Sequence, residues 1–236
     1  MADTVAANQT YFNKLASEYD TLFQEAMLIM ERQLRDNIDF LGIREGGRLL
    51  DYACGTGMLS FTLGDRLSQC VGVDVSESMV EAYNAKARSR GLSEEQCSAH
   101  VGNLIDATDA SPEALSAARF GGFDGAGVGA GFHHFDDCGL AARRLAERLC
   151  PGGVLFVLDF VAHEACSSGM SAADAAAHGV RHHGFSEVQV RELFREAGVG
   201  SNFAFRVMGK DIVFRAAGEG GRDMVRTVFL ARGEKS

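Results

Sequence analysis

Apolar positions in the first forty residues recur at helical spacing. Residues 9–20 form a short amphipathic segment that contains aromatic residues. A longer stretch with apolar residues at helical spacing follows over 24–41. The apolar positions of that second stretch are Met27, Met30, Leu34, Ile38 and Leu41. Spacing of three and four residues places side chains on one face of a helix. The pattern predicts two N-terminal helices, which end at the Gly46-Gly47 pair.

From residue 48 onward, short apolar runs alternate with stretches of helical periodicity. The predicted strands are 48–52, 70–75, 98–102, 123–129 and 153–160. The predicted helices are 59–67, 77–89, 112–118, 137–149 and 186–197. Strands separated by helices of about ten residues are typical of a parallel sheet with helices on both faces. The sequence therefore predicts the α/β class, with a Rossmann-like, doubly wound sheet.

The end of the chain departs from this alternation. Two β-like runs, 202–214 and 223–231, are joined through Gly218–Gly221 with no room for a helix. So short a connection forces an antiparallel pair, and we predict a C-terminal antiparallel hairpin. The polar, histidine-rich segment 162–184 is predicted to be an insertion or lid. Since no linker or repeat is visible, we expect one domain over 1–236, with a helical cap over 1–45 and the core over 46–236.

Charge and composition restrict the classes of binding partner and of site that we expect. The formal net charge is −9, and duplex nucleic-acid binding depends on clustered basic residues, so no nucleic-acid partner is expected. The six cysteines show no C-x-x-C pair, which favours neither a metal site nor a disulfide framework. The sequence has neither a signal-peptide pattern at its start nor a run of about 18 apolar residues. We therefore expect a cytoplasmic protein without a membrane span.

The chemically most informative segment is the glycine turn Asp51–Gly57, which follows an apolar strand and opens a helix. Glycines allow a ligand to approach the backbone, and a helix N-terminus offers free N–H groups. Asp74 ends the next strand about 20 residues further on, where an acidic side chain can accept both hydroxyls of a ribose. Ser76 then caps the next predicted helix. Together these features predict a nucleoside ligand.

On these residues, the sequence resembles the class I S-adenosylmethionine-dependent methyltransferases. The resemblance is to the type 11 group, which includes the ubiquinone/menaquinone-biosynthesis methyltransferases. Leu49–Gly57 matches the family's first motif, with Ala53 in place of the usual first glycine. Further segments match in order: Tyr11-Phe12 to Tyr19-Asp20, Asp74, Phe123-Asp124 to Phe135, and Leu149–Leu155 with Cys150 in place of lysine. The resemblance covers nearly the whole chain.

The resemblance implies S-adenosylmethionine as the cofactor and S-adenosylhomocysteine as its product. It implies that the following residues bind the cofactor: Tyr11, Tyr19, Asp51, Ala53, Cys54, Gly55, Gly57, Asp74, Val75, Met79, Gly102, Asn103, Leu104 and Gly129. Asp51 would lie near the methionine ammonium group, Asp74 would hold the ribose, and Asn103 would accept a bond from the adenine amino group. Asp106 is the alternative to Asn103, and Ala130 would join Gly129 beneath the sulfonium. Cys54 is interpreted as a small buried residue and not as a nucleophile.

His133 and His134 are the candidate catalytic residues. An adjacent pair at the exit of a strand can orient a substrate or take its proton, although one such histidine often only packs. His163, His178, His182 and His183 lie in or beside the 162–184 segment, where packing or surface roles are expected. The Asn-Pro-Pro-Tyr motif of many nucleic-acid and glutamine N-methyltransferases is absent here. A small-molecule acceptor, methylated at O, S, N or C, is therefore favoured.

Two alternatives stay open at this point. An NAD-dependent oxidoreductase would require a fuller glycine motif, yet Ser60 occupies the third position, and no Tyr-x-x-x-Lys pair is found. A non-catalytic S-adenosylmethionine-binding scaffold protein would keep the fold without turnover. The acceptor and the oligomeric state do not follow from the sequence.

Overall fold

The computed structural model describes residues 4–162, 179–209, 212–215 and 223–236. Most of the predicted lid, with His163 and His178, lies outside the described residues, as does the Gly218–Gly221 connection. The helices are α1 (Thr4–Leu22), α2 (Gln24–Asp36), α3 (Ile38–Leu41), α4 (Met58–Leu63), α5 (Glu77–Ser89), α6 (Cys138–Arg148) and α7 (Glu187–Glu196). The strands are β1 (Gly47–Tyr52), β2 (Leu67–Asp74), β3 (Cys97–Val101), β4 (Phe123–Gly129), β5 (Leu149–Phe160), β6 (Ser201–Val207), β7 (Ile212–Phe214), β8 (Met224–Arg226) and β9 (Val228–Glu234).

The main sheet has the strand order β3-β2-β1-β4-β5-β9-β6. The first five strands in this order run parallel, whereas β9 is antiparallel to both β5 and β6. The order reverses between β1 and β4, and ligands of open α/β sheets bind beyond the carboxyl ends of the strands at such a point. The predicted α/β fold, Rossmann-like with an antiparallel C-terminal pair, is confirmed.

Alternation along the central strands supplies two buried layers. Leu50 of β1 and Val157 of β5 face one layer together with α6 and α7. Leu49 and Phe156, one residue away in each strand, face the other layer with α2, α4 and α5. Because both faces of the sheet are covered, its central strands are mostly apolar. This packing fixes the carboxyl ends of β1, β2 and β4 side by side.

Two predicted helices differ from the structure. The helix predicted over 24–41 breaks at Asn37, whose side-chain amide donates to the Gln33 carbonyl at 2.7 Å. Such side-chain bonds compete with helix continuation.

The helix predicted over 112–118 is a pair of short 3₁₀ turns, Glu113–Leu115 and Ala118–Phe120, separated by extended backbone at Ala117. None of the described helices has the length and apolar character of a membrane span.

The two C-terminal runs also differ, because each is divided in two. The first run leaves the main sheet after β6, and a Cβ on Gly209 would lie 2.7 Å from the Ile212 side chain. β7 then pairs with β8 in a small two-stranded sheet. The split places Phe214 against Phe23 and Phe160, with ring centroids 6.3 and 5.4 Å away. The hairpin thus delivers side chains to the carboxyl end of the main sheet.

Candidate functional site

The glycine turn after β1 has a left-handed backbone at three positions. Ala53, Gly55 and Gly57 have φ angles of 53°, 51° and 94°. A Cβ on Gly57 would overlap the ring of Phe61 and lie 2.8 Å from the Tyr83 ring. Gly57 is therefore required both for backbone conformation and for close packing. Ala53 adopts a conformation that non-glycine residues seldom take, so this turn stores strain at the site.

Asp51 lies behind the turn and does not face a cavity. Its carboxylate accepts hydrogen bonds from the Ser60 N–H at 3.1 Å and from the Ser60 hydroxyl at 2.7 Å. Burial raises the pKa of Asp51 to about 7, although the two Ser60 bonds oppose that shift. Asp51 therefore secures the first turn of α4 and carries a charge that is sensitive to its surroundings near neutral pH.

Asp74 joins three segments at the end of β2. Its carboxylate oxygens accept from the Gly55 N–H and the Ser76 N–H, each at 2.9 Å. The Ser76 hydroxyl in turn caps α5 by accepting from the Met79 N–H. Burial raises the pKa of Asp74, with the backbone bonds acting against it. A carboxylate has about four acceptor positions, and the backbone bonds from Gly55, Ser76 and Val75 leave room for a bond from a ligand hydroxyl.

Helix α1 crosses the carboxyl end of the sheet and is fixed at both walls of the site. Asn13 accepts from the Ser76 hydroxyl at 2.6 Å. Asp20 accepts from the Thr56 hydroxyl at 2.5 Å and pairs with Lys86 at 3.0 Å. The aromatic face of α1 is held in this way over the glycine turn.

A cavity of about 690 Å³ lies between the turn and α1. The sequence-predicted residues that line it are Tyr19, Ala53, Cys54, Gly55, Asp74, Val75, Met79, Gly129, Ala130 and His134. Sequence reasoning missed Asn8, Phe12, Met27, Thr56, Met58, Gly131 and Phe135. Burial raises the pKa of the Cys54 thiol, which keeps the thiol protonated and agrees with a packing role.

A groove of about 1210 Å³ continues from this cavity and includes Asn103 and Asp106. The Asn103 amide oxygen accepts from the Tyr52 hydroxyl at 3.2 Å and from the Ile105 N–H at 3.0 Å. Gly102 and Leu104 line neither space. The Leu104 N–H donates to Tyr52, while a Cβ on Gly102 would lie 2.7 Å from Leu115. Both residues support the loop that presents Asn103.

On its other side the cavity adjoins an apolar chamber of about 630 Å³, the aromatic chamber. Its lining residues are Tyr11, Phe12, Leu15, Tyr19, Phe23, Met30, Ala130, His133, His134, Phe160, Val180, Phe214 and Met224. Tyr11 therefore lines the aromatic chamber and not the cavity at the glycine turn. The two spaces share Phe12, Tyr19, Ala130 and His134. Ala130 has a φ of 54°, a second strained alanine at the end of a strand.

His133 forms a buried pair with Asp159. The His133 Nδ1 lies 2.8 Å from the Asp159 carboxylate, which also accepts from the His133 backbone N–H at 3.1 Å. Asp159 is fully buried near the end of β5. Sequence reasoning missed it, although a carboxylate within the otherwise apolar run 154–160 was a usable signal. The carboxylate fixes the orientation of the imidazole ring.

Two other histidines contact backbone carbonyl groups. The His134 Nδ1 lies 3.2 Å from the Gly179 carbonyl, and its ring packs on Phe12 at 5.3 Å. The His182 Nε2 lies 3.0 Å from the Phe135 carbonyl. Over the described ranges, no group of three or more His, Cys, Asp or Glu residues is placed to hold a metal ion.

A family model described as a methyltransferase domain matches residues 27–199. The chain belongs to this methyltransferase family. An uncharacterized methyltransferase of Schizosaccharomyces pombe is 29% identical to it over 231 residues, covering 84% of this chain and 80% of that protein. The ubiquinone/menaquinone biosynthesis C-methyltransferase of Edwardsiella ictaluri is 33% identical over 67% of this chain and 61% of that protein. The chain thus spans less than two thirds of the second relative.

Among solved structures, this methyltransferase is similar to the magnesium protoporphyrin IX methyltransferase of Synechocystis with bound S-adenosylhomocysteine. The TM-score is 0.71 at 15% identity, over 99% of this chain and 100% of that one. This likeness concerns the fold. With the family match, it identifies the chain as a class I S-adenosylmethionine-dependent methyltransferase of the type 11-like group, and the oxidoreductase alternative receives no support.

Proposed function

We propose that this methyltransferase methylates a small-molecule acceptor bound in the aromatic chamber, with the cofactor in the cavity at the glycine turn. The observation that carries the proposal is the shared wall of the two spaces, formed by Phe12, Tyr19, Ala130 and His134. Two ligands in these spaces would meet at the end of β4.

The residues of the cavity fit S-adenosylmethionine. Asp74 has acceptor positions left for a ribose, and Val75 and Met79 offer apolar contacts for a ring. The side-chain oxygen of Asn8 is buried without a hydrogen-bond partner in the described part of the chain, which suits a ligand donor. In the bound state, the cofactor supplies a methyl group already activated on a positively charged sulfur.

The protein's own contribution is to position the acceptor and exclude water. Helix α1 acts as the cap, because its polar side chains tie it to the glycine turn and to α5 while its aromatic side chains cover both spaces. His133 is placed to take a proton from the acceptor, and His134 lies at the shared wall to orient it. Correct alignment in a dry site is the main source of acceleration for such a transfer.

Calorimetric titration with S-adenosylmethionine, S-adenosylhomocysteine and NAD tests the cofactor assignment. We expect both sulfur nucleosides to bind at a 1:1 ratio and NAD to bind weakly or not at all. Binding of NAD alone would overturn the proposal. Cofactor binding without methyl transfer to any acceptor in a broad panel would instead support a scaffold role.

A further inference from the structure

Asp159 holds His133 in one ring orientation. One Asp159 oxygen lies against the His133 Nδ1, and the other accepts the His133 backbone N–H. Since an ionised carboxylate only accepts hydrogen bonds, Nδ1 must carry the ring proton, and the neutral ring then has its free lone pair on Nε2. Over the described ranges, Nε2 has no hydrogen-bond partner, and the ring lines the aromatic chamber. The pair therefore presents a proton acceptor to whatever the chamber binds.

The described lining of the aromatic chamber contains no carboxylate, lysine or arginine. The described lining therefore offers no Asp, Glu, Lys or Arg side chain to form an ion pair with the acceptor. The rings of Phe160 and Phe214 lie edge to face at 5.4 Å, and those of Tyr19 and Phe23 at 5.1 Å. Walls of this kind favour a planar aromatic guest in stacked or edge contact.

A base is needed when the attacking group is weakly acidic. A carboxylate acceptor is already ionised at neutral pH, whereas a phenolic hydroxyl has a pKa of about 10, as in tyrosine. We propose that the acceptor of this methyltransferase is an apolar aromatic compound with a phenolic hydroxyl, methylated at oxygen, and that Asp159 is the positioning residue for His133. This inference rests on the proposed function.

The step balances within these groups. The hydroxyl O–H bond breaks, and its proton goes to the His133 Nε2, giving an imidazolium ring beside the Asp159 carboxylate. The phenolic oxygen forms the new bond to the methyl carbon with its electron pair. The bond from that carbon to the cofactor's sulfur breaks, and the sulfur keeps the bonding pair.

The test compares two phenols of similar shape in His133→Asn and Asp159→Asn. One phenol stays protonated at the assay pH, and the other is electron-poor and already ionised. Asparagine at position 133 keeps an N–H for Asp159, whereas Asp159→Asn favours the wrong histidine tautomer. For the protonated phenol we expect kcat to fall about 100-fold or more, the usual range for loss of a general base. For the ionised phenol, the loss should stay within about tenfold, because no proton has to be removed.

Matched controls lie away from the site. His100→Asn replaces a histidine on β3 whose ring packs on Phe120. Asp124→Asn replaces a carboxylate at the amino end of β4 that accepts a hydrogen bond from the Arg48 N–H. Both controls should keep the ratio of the two phenol rates. Nitrogen NMR of the His133 ring gives a readout without turnover, since the wild type should show a protonated Nδ1 and an unprotonated Nε2. This spectrum needs no variant to fold.

The outcomes distinguish failure of this inference from failure of the proposed function on which it rests. Equal losses for both phenols, or a proton on Nε2 in the wild type, would overturn the role of the pair. Preferred methylation of amines, thiols or carboxylates, or transfer to a ring carbon, would overturn the acceptor class and leave the methyltransferase assignment intact. Failure of the wild type to bind S-adenosylhomocysteine would overturn the proposed function itself.

Discussion

The cavity at the glycine turn and the aromatic chamber share a wall but are built in different ways. The cavity is formed largely by short contiguous segments, 53–56 and 129–131, and by Asp74 and Val75 at a strand end. The Asp74 carboxylate accepts hydrogen bonds from the backbone N–H groups of Gly55 and Ser76 in this region. The aromatic chamber is assembled from side chains of α1, α2, β5, β7 and β8 and of the 130–134 segment after β4. Local sequence thus determines the cavity at the glycine turn, which we call the donor site, whereas tertiary packing determines the aromatic chamber, which we call the acceptor site. Single substitutions should therefore change the affinity of one site and leave the other unchanged.

The largest effect is expected for Gly57→Ala, which attacks the cavity through its backbone. The new Cβ would overlap Phe61, at a φ of 94°. Left-handed strain and overpacking together should lower the free energy of unfolding by about 3 kcal/mol and abolish cofactor binding. Urea denaturation and calorimetry measure both effects. Gly64→Ala is the control, since its Cβ would meet nothing within 4 Å; equal losses in the two variants would contradict the steric account.

Asp74→Asn should weaken the donor site alone. Hydrogen bonds to a charged group contribute about 1.5–3 kcal/mol, so the Kd for S-adenosylmethionine should rise about 10- to 100-fold. At saturating cofactor, the KM for the acceptor should stay near the wild-type value. Steady-state kinetics with both substrates varied checks this separation. A comparable rise in the acceptor KM would show that the two sites are not independent.

Phe214→Leu is the matching test on the chamber. The side chain of Phe214 packs on Phe23 and Phe160, and loss of an aromatic pair costs about 0.5–1.5 kcal/mol. We expect the acceptor KM to rise up to about tenfold with no change in the Kd for the cofactor. Phe203→Leu, on β6 beside Phe194, should change neither constant. A weaker cofactor affinity in Phe214→Leu alone would place this ring in the donor site.

The smallest effect concerns pH and Asp51. Burial raises the pKa of this carboxyl to about 7, so it is mostly neutral below that pH and ionised above it. A cationic ligand favours the ionised form, and its binding should tighten about three- to tenfold between about pH 6 and about pH 8. The dependence should be weaker for S-adenosylhomocysteine, which lacks the sulfonium charge. Calorimetry of Asp51→Asn should give a flatter profile; an unchanged slope would assign the effect to another group.

The contrast between the sites also explains what the sequence could predict. The sheet, the glycine turn, Asp74 and the Ser76 cap follow from patterns within about 30 residues, and the structure contains each of them. The break at Asn37 depends on a hydrogen bond from its own side chain, and the first C-terminal run divides beside the close approach of Gly209 to Ile212. Such features leave no periodic signal.

The aromatic chamber was harder to predict for a related reason. Tyr11 and Phe214 lie more than 200 residues apart in sequence and meet only after the sheet has folded. Asp159 left one trace, a carboxylate inside an apolar strand, but its partner His133 could not be assigned without the structure. The donor-site residues can therefore be predicted from sequence motifs, whereas the acceptor-site residues can be identified only from the structure.

A stepwise NMR titration tests the central claim, that donor and acceptor occupy adjoining but separate spaces, most directly. S-adenosylhomocysteine is added first, followed by a phenolic acceptor, while backbone amide signals are followed. The account predicts that the first ligand shifts the signals of Gly55, Asp74 and Met79, and that the second shifts those of Tyr11 and Phe214 without displacing the first. Displacement of S-adenosylhomocysteine by the phenol, or shifts of both groups of signals by the first ligand alone, would contradict it.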